Sequence, residues 1–330
     1  MPLPLALLRR IEAADAPGAW RAILDYAWEL FSPVLSLGSP VGEVMRRDRE
    51  IASLDLFLST AGYDLWSCCE SSAPINSQEI LSWWAARPSG RAVLILDGLS
   101  AREAPWLLHT ASSRGYTIHQ AALHLAEFPP DTTPFAKALG FGQRSALSNG
   151  MATGGSALSG ARTECTDLPW ADCALWVPTH PDLFLWHEWP DKRMHTLSDK
   201  GGGLETLAKE AAAQLTSEDF WSLVNRLTQG RRLVITSDHG YAATGQFANT
   251  EDEQQAKYLQ QSFASGRSTP GGNVGPWVPP LDIRFESAHG GHRMVLGRRK
   301  WRSPGGYPSL VHGGLTLLEA AVPFLEISRA

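Results

Sequence analysis

Three aspartates and three histidines stand at positions where chemistry is plausible. Asp97 directly follows the apolar run Ala92-Val93-Leu94-Ile95-Leu96. Asp238 and His239 follow a second run, Leu233-Val234-Ile235-Thr236-Ser237. In an open α/β sheet, ligand sites lie beyond the carboxyl ends of the strands, where both aspartates would stand. Asp191 and His195 are spaced D-x-x-x-H, which on a helix places both side chains on one face. His312 opens His312-Gly313-Gly314, ahead of a short helical segment. Carboxylate and imidazole donors without thiolate suit Zn²⁺, Mn²⁺ or a similar ion in a catalytic site.

Each piece also has a plain structural use. An aspartate ending a strand can cap the next helix. A D-x-x-x-H pair can be a surface ion pair, and His312 can be a satisfied turn residue. Asp238-His239-Gly240-Tyr241 is the least easily explained this way, because nothing in a strand end requires adjacent Asp and His.

The elements that must position these residues follow from hydrophobic periodicity. Residues 1–90 predict helices, with Leu5, Leu7, Leu8 and Ile11 on one stripe and Trp20, Ile23, Leu24, Ala27, Trp28 and Phe31 on another. Ser32-Pro33 closes the second, and Asn76 with Glu79 reads as a capping box opening a helix through Trp84. After Gly90 the texture becomes α/β. Strands are expected at 92–96, 116–124, 173–177, 183–186 and 232–236, and helices at 101–113 and 204–227, the latter broken near Thr216-Ser217. Strands alternating with helices predict a mostly parallel sheet covered on both faces. Ser262 to Pro280 reads as a long surface loop able to close over a site. Arg284 to Trp301 reads as strands around a turn, and Leu315 to Ala321 as a short helix with Thr316 and Glu319 as its capping box.

Composition narrows the class. The 330 residues are 43% hydrophobic and 19% charged, an ordinary globular balance that excludes wholesale disorder. At roughly 100–200 residues per domain, two units are expected: a helical region 1–90 and a catalytic domain 91–330. With 29 basic and 34 acidic residues the net charge is −5, which excludes a global basic coat for nucleic acid but not a local basic patch. Four cysteines without C-x-x-C spacing make neither a disulfide framework nor a structural zinc site. Arg9 and Arg10 follow the initial apolar run rather than precede it, so no export signal is read, and no run approaches the ~18 apolar residues of a membrane span. The expected compartment is the cytoplasm.

Taken in order, the motifs resemble a known family. V-L-I-L-D at 93–97, P-P-D-T-T-P-F at 129–135, D-x-x-x-H at 191–195, T-S-D-H-G-Y at 236–241 and H-G-G-L-T-L-L-E-A-A-V-P at 312–323 follow the order of the alkaline phosphatase superfamily. The last motif resembles the PglZ domain, a component of bacterial BREX-type phage defence. The resemblance spans roughly residues 91–330 and implies an alkaline-phosphatase-like, mostly parallel sheet flanked by helices. Where many PglZ sequences carry Arg three residues after the first Asp, this chain has Ser100, with Arg102 two further on.

The resemblance implies two divalent metal ions, Zn²⁺ above all, with Mn²⁺ or Mg²⁺ as alternatives. Asp97, Thr132, Asp238 and His239 would surround one, and Asp191, His195 and His312 the other. It also implies a Thr nucleophile at Thr132, with Thr133 the adjacent competitor. Thr132 could equally cap the helix carrying Phe135. The implied reaction is hydrolysis of a nucleotide or nucleic-acid phosphodiester in phage defence. A low-activity scaffold binding other defence proteins and a phosphomonoesterase are the alternatives. Arg144 is a candidate phosphate clamp by position, against a surface arginine in a salt bridge. Arg298-Arg299-Lys300-Trp301-Arg302 interleaves cations with an aromatic, as a strand-tracking surface would. His289 and His292 are candidate substrate contacts. No membrane partner is expected.

Overall fold

A computed structural model describes residues 2–32, 39–150, 157–198, 203–287 and 290–329. The chain opens with helices α1 (Leu5–Ala13), α2 (Ala16–Phe31), α3 (Pro40–Ser59), α4 (Asp64–Ser67), α5 (Cys69–Ser72) and α6 (Asn76–Ala85). It continues with β1 (Arg91–Leu96), α7 (Ala104–Ser113), β2 (Tyr116–Leu125), α8 (Thr132–Ala138), β3 (Arg162–Thr166), α9 (Trp170–Trp176) and β4 (Asp182–His187). Next come α10 (Asp191–Ser198), α11 (Gly203–Thr216), α12 (Glu218–Leu227), β5 (Arg232–Thr236), β6 (Ala242–Ala243), β7 (Ala248–Asn249) and α13 (Glu253–Phe263). The rest comprises β8 (Ser268–Pro270), β9 (Asp282–Ser287), β10 (Gly290–Val295), β11 (Arg299–Lys300), β12 (Leu310–Val311), α14 (Leu317–Ala320) and β13 (Ala321–Arg329).

The main sheet has six strands in the order β2-β13-β5-β1-β4-β3. The strand pairs β1/β4, β1/β5 and β3/β4 are parallel, and β13 runs antiparallel to both neighbours. The protein is therefore α/β with a mixed, mostly parallel sheet. Period-2 alternation splits each central strand between two cores. Ala92, Leu94 and Leu96 face a cluster with Trp106, Leu207, Ala211, Trp221 and Leu223, under α7, α11 and α12. Val93 and Ile95 face Ile80, Trp83, Phe135 and Leu139, under α6 and α8. Strands buried on both faces read as continuous apolar runs, which is why β1 and β5 are visible in sequence. A third cluster joins Trp20, Ile23, Phe31 and Leu54 to Leu123, Leu125, Phe285 and Leu317, so buried packing runs across residue 90.

Several expectations need correction. Residues 173–177 are not a strand: 173–176 lie within α9 and Val177 caps it, and Trp170, Cys173 and Ala174 are buried at i, i+3 and i+4, a helical spacing. Asn76 does not cap its helix. Its amide donates to Thr236 Oγ1 (2.9 Å) and to the Ser237 carbonyl (2.7 Å), tying α6 to the end of β5. The segment 262–280 is not one surface loop, because Ser268–Pro270 pairs with β10 in a three-stranded sheet. The helix expected at 315–321 is only α14, after which the chain turns into the nine-residue strand β13 despite Pro323. Thr316 does cap α14, accepting from Glu319 N at 3.2 Å. β3 has no counterpart among the sequence expectations. No helix among the described residues is long and apolar enough to cross a membrane.

His124 on β2 gives a measurable consequence. It is 4% exposed, stacks against Phe324 at 4.6 Å, and its Nδ1 has no partner. Burial lowers its pKa from 6.5 to about 4. The unfolded chain therefore binds this proton first, and the stability held above pH 6.5 is lost as pH falls toward 4. At 1.36 kcal/mol per unit this loss is about 3 kcal/mol. Urea unfolding at pH 7.5 and 4.5 should show the acid loss reduced by about that amount in His124→Leu.

Candidate metal centre

The candidate residues converge at the carboxyl ends of β1, β4 and β5. Asp97 ends β1 and its carboxylate is fully buried. Trp186 Nε1, on the neighbouring β4, donates to its Oδ2 at 2.9 Å. Gly98 follows at φ +72°, and a Cβ there would stand 3.1 Å from Asp191 Cβ, so the turn after β1 requires glycine on both counts. Asp191 N donates to the Asp97 carbonyl at 2.8 Å, which fixes the start of α10 against the end of β1.

β5 delivers the second pair. Asp238 Oδ1 accepts from Gly98 N at 2.9 Å, leaving Oδ2 free. Ser237 Oγ stitches the turn, accepting from Leu99 N (2.8 Å) and lying within bonding distance of the Leu96 carbonyl (2.8 Å). His239 Nδ1 donates to the Gly240 carbonyl at 2.9 Å, which aims Nε2 inward. That nitrogen lies 3.6 Å from Asp97 Oδ1, 3.6 Å from Asp238 Oδ2 and 4.0 Å from Asp191 Oδ1.

Asp191 and His195 occupy one face of α10, with His195 Nε2 3.3 Å from Asp191 Oδ1. His312 Nε2 is 4.0 Å from the same oxygen, and its ring stacks on His239 at 4.3 Å. Donor atoms thus gather in two groups, Asp97/Asp191/His239 and Asp191/His195/His312, each spanning less than 4.8 Å. Asp191 belongs to both. Thr132, the first residue of α8, donates from Oγ1 to Asp97 Oδ1 at 3.4 Å, whereas Thr133 is exposed. The cap position of α8 falls to Asp131, so Thr132 is not the capping residue.

The electrostatics favour a cation. Burial and then Asp238 push Asp97 well above the usual carboxylate range. Burial works against a charged His239, yet Asp238, Asp191 and Asp97 raise it to about 9. Burial also opposes ionisation of Asp191, but His195, His239 and His312 bring it down to about 2. Burial, then the charge on His239, lowers His312. Asp191 Oδ1, Asp238 Oδ2 and His239 Nε2 are buried with no hydrogen-bond partner. Buried polar atoms are normally satisfied, so two carboxylate oxygens without partners gathered around an unpartnered imidazole nitrogen fit a bound divalent ion.

Three residues singled out in the sequence take roles set by their partners in the fold. Arg144 is not a surface ion pair. It pairs with buried Asp97 and reaches Glu188 at 3.5 Å. Arg102 is fully buried and bound to Asp48 and to the Tyr241 carbonyl, so it is structural. Glu319 ties the two histidine loops together. Its carbonyl accepts from Gly240 N at 2.8 Å, and its Oε1 accepts from Gly314 N at 2.9 Å. Arg267, fully buried, grips the same carboxylate at 3.0–3.1 Å. The only sequence hint of this was the Thr316–Glu319 spacing.

Other expectations fall away. Trp301 is 3% exposed and donates to the Ala264 carbonyl, so it offers no face for a stacked base. His292 Nδ1 lies 3.2 Å from the Gly290 carbonyl of its own hairpin and joins neither donor group. His289 lies outside the described residues. The cysteines are free. Compared with known proteins, the chain matches no family model, and no curated protein matches it.

Because Asp191 serves both donor groups, Asp191→Asn should lose more metal than His195→Ala; elemental analysis after dialysis against Zn²⁺ measures this, and equal losses would contradict the shared role. Glu319→Gln should weaken metal binding by about 10–100-fold, the usual effect of removing a ligand's support, read by competition with a chromogenic chelator.

Proposed function

We propose that this chain is a metal-dependent phosphoric ester hydrolase of alkaline-phosphatase-like architecture that cleaves phosphodiesters. The observation that carries the reading is a threonine hydroxyl, Thr132 Oγ1, held 3.4 Å from Asp97 beside unsatisfied carboxylate and imidazole donors. Asp97, Asp238 and His239 would hold one divalent ion, and Asp191, His195 and His312 a second, with Asp191 also close enough to His239 to serve the first. Bound ions would screen the charge of the ester and make the threonine hydroxyl a stronger nucleophile.

The chain's own residues supply the rest. Thr132 Oγ1 attacks phosphorus in line, forming a phosphothreonine and expelling the leaving alkoxide. Water then cleaves the phosphothreonine, and two inversions give net retention. Thr132 Oγ1 lies within hydrogen-bond distance of Asp97 Oδ1, which can accept its proton. Arg144 carries the planar fork that suits two phosphoryl oxygens, and it would exchange Asp97 for them on substrate binding. The resemblance of residues 312–323 to the PglZ motif supports a role in cytoplasmic phage defence, with a nucleotide or nucleic-acid diester as substrate.

One observation favours a second reading. Arg144 supplies a positive charge of the kind that a dianionic monoester needs, so a phosphomonoesterase is the alternative. Metal-stripped protein reloaded with Zn²⁺, Mn²⁺ or Mg²⁺ should hydrolyse bis-p-nitrophenyl phosphate faster than p-nitrophenyl phosphate. The reverse order would select the monoesterase. Thr132→Ala should keep its metal and lose about 10³-fold or more in kcat, while Thr133→Ala stays near wild type. Wild type inactive on both esters with metal bound would refute the hydrolase.

A further inference from the structure

A second cationic site lies away from the carboxylate cluster. The two-stranded ribbon of β7 and β11 pairs Arg299 with Ala248 and Lys300 with Asn249. A cavity of about 610 Å³ against α3 is lined by Arg298 and Arg299. A second, of about 470 Å³, is lined by Lys300 and Arg302. Asn249 and Thr250 line both. Successive strand residues point to opposite faces, so Arg299 serves one cavity and Lys300 the other.

The charges here are not balanced as they are at most buried arginines, although Arg231 likewise bonds only to backbone carbonyls. Buried and half-buried arginines such as Arg47, Arg91, Arg102, Arg267, Arg293 and Arg298 each pair with a carboxylate. Among the described residues, Arg299, Lys300 and Arg302 form no ion pair. Arg299 Nε donates to the Leu296 carbonyl (2.8 Å) and Lys300 Nζ to the Thr244 carbonyl (3.0 Å). Among the described residues, Glu251 is the one carboxylate lining either cavity. Burial, then nearby Arg267, lowers Arg299 to about 10, with the Asp282 carboxylate opposing only in part, the cost of a half-buried cation not paired with a carboxylate. Thr250 Oγ1 and Arg298 Nη2 are buried there without hydrogen-bond partners. Uncompensated charge and unsatisfied polar atoms in one place mark a site built for a ligand that supplies the missing groups.

We propose that the cavities on either side of Asn249–Thr250 form a metal-independent site for a ligand bearing adjacent phosphates, with Arg299, Lys300 and Arg302 as its cationic contacts. With Trp301 buried, recognition runs through phosphate oxygens and not through base stacking. The two sources of such phosphates are a free polyphosphate group and a single-stranded nucleic-acid backbone.

The test uses the full-length, metal-stripped protein at low salt, with inorganic tripolyphosphate in one arm and a labelled oligothymidylate in the other. Binding of either is expected. Tripolyphosphate alone identifies a free polyphosphate group, and the oligonucleotide identifies the backbone. Arg299→Ala/Lys300→Ala should weaken binding about tenfold or more and, for the oligonucleotide, reduce the slope of log affinity against log salt by about 0.7 per lost phosphate contact. Arg302→Ala, on an exposed side chain, should weaken binding with unchanged thermal stability. Metal-dependent hydrolysis of bis-p-nitrophenyl phosphate should be unaltered in these variants, which separates this site from the metal centre. No binding of either probe by wild type, or equal binding by the three-site variant Arg299→Ala/Lys300→Ala/Arg302→Ala, would overturn the proposal.

Discussion

Asp97, Asp191 and Asp238 bring three carboxylates into a space where burial and mutual repulsion both oppose their charge. Isolated carboxylates in such a place would take up protons. Here the surroundings offset part of that cost: the His239 ring sits among the carboxylates, Arg144 reaches in to Asp97, and Trp186 and Gly98 donate to carboxylate oxygens, so that a divalent ion in place of the His239 proton would complete the balance. Every other part of the fold near these residues can be understood as holding that crowding in place. The aspartates sit at the ends of adjacent strands or at the first residue of a helix, where backbone N–H groups are available and side chains have little freedom to retreat.

The support extends outward through a buried ionic network. Glu319 joins the loop of His239 to the loop of His312, and Arg267 holds Glu319. Asp55 on α3 accepts from Leu317 N at 2.7 Å and pairs with Arg298 at 2.6 Å. Asp48, one face along the same helix, pairs with Arg102 and Arg298, and Arg102 holds the Tyr241 carbonyl. Helix α3 thus touches both histidine loops through charge pairs with almost no solvent exposure. Breaking one partner of such a pair strands a buried charge, so the helical N-terminal residues are mechanically part of the centre even though they contribute no donor to it.

The net charge of −5 is not spread evenly over the chain. Negative charge is concentrated where cations would sit, and most cations are consumed in pairs. Arg299, Lys300 and Arg302 are a run of cations that form no ion pair among the described residues. The carboxylate cluster and the cationic run share no residue, and screening limits each field to about a Debye length of ~8–10 Å.

The sequence by itself determined the residue types of the centre and most of the strands that carry it. β1, β4 and β5 are legible because a strand buried on both faces must be apolar throughout, and an aspartate at its end breaks the pattern visibly. Asp191 and His195 are legible because a helix fixes i and i+4 on one face. Cys173 to Val177 misled because a short apolar run carries no period until its neighbours are included. β13 was hidden by Pro323 and by a helical turn of four residues that runs straight into it. Arg144 on Asp97, Trp186 on Asp97, Arg267 on Glu319 and Asn76 on Thr236 were decided only by the tertiary structure. Their partners lie 47, 89, 52 and 160 residues apart. Local periodicity records which face is buried, but the order in which strands pair decides what that face meets, and that order depends on packing the whole chain at once.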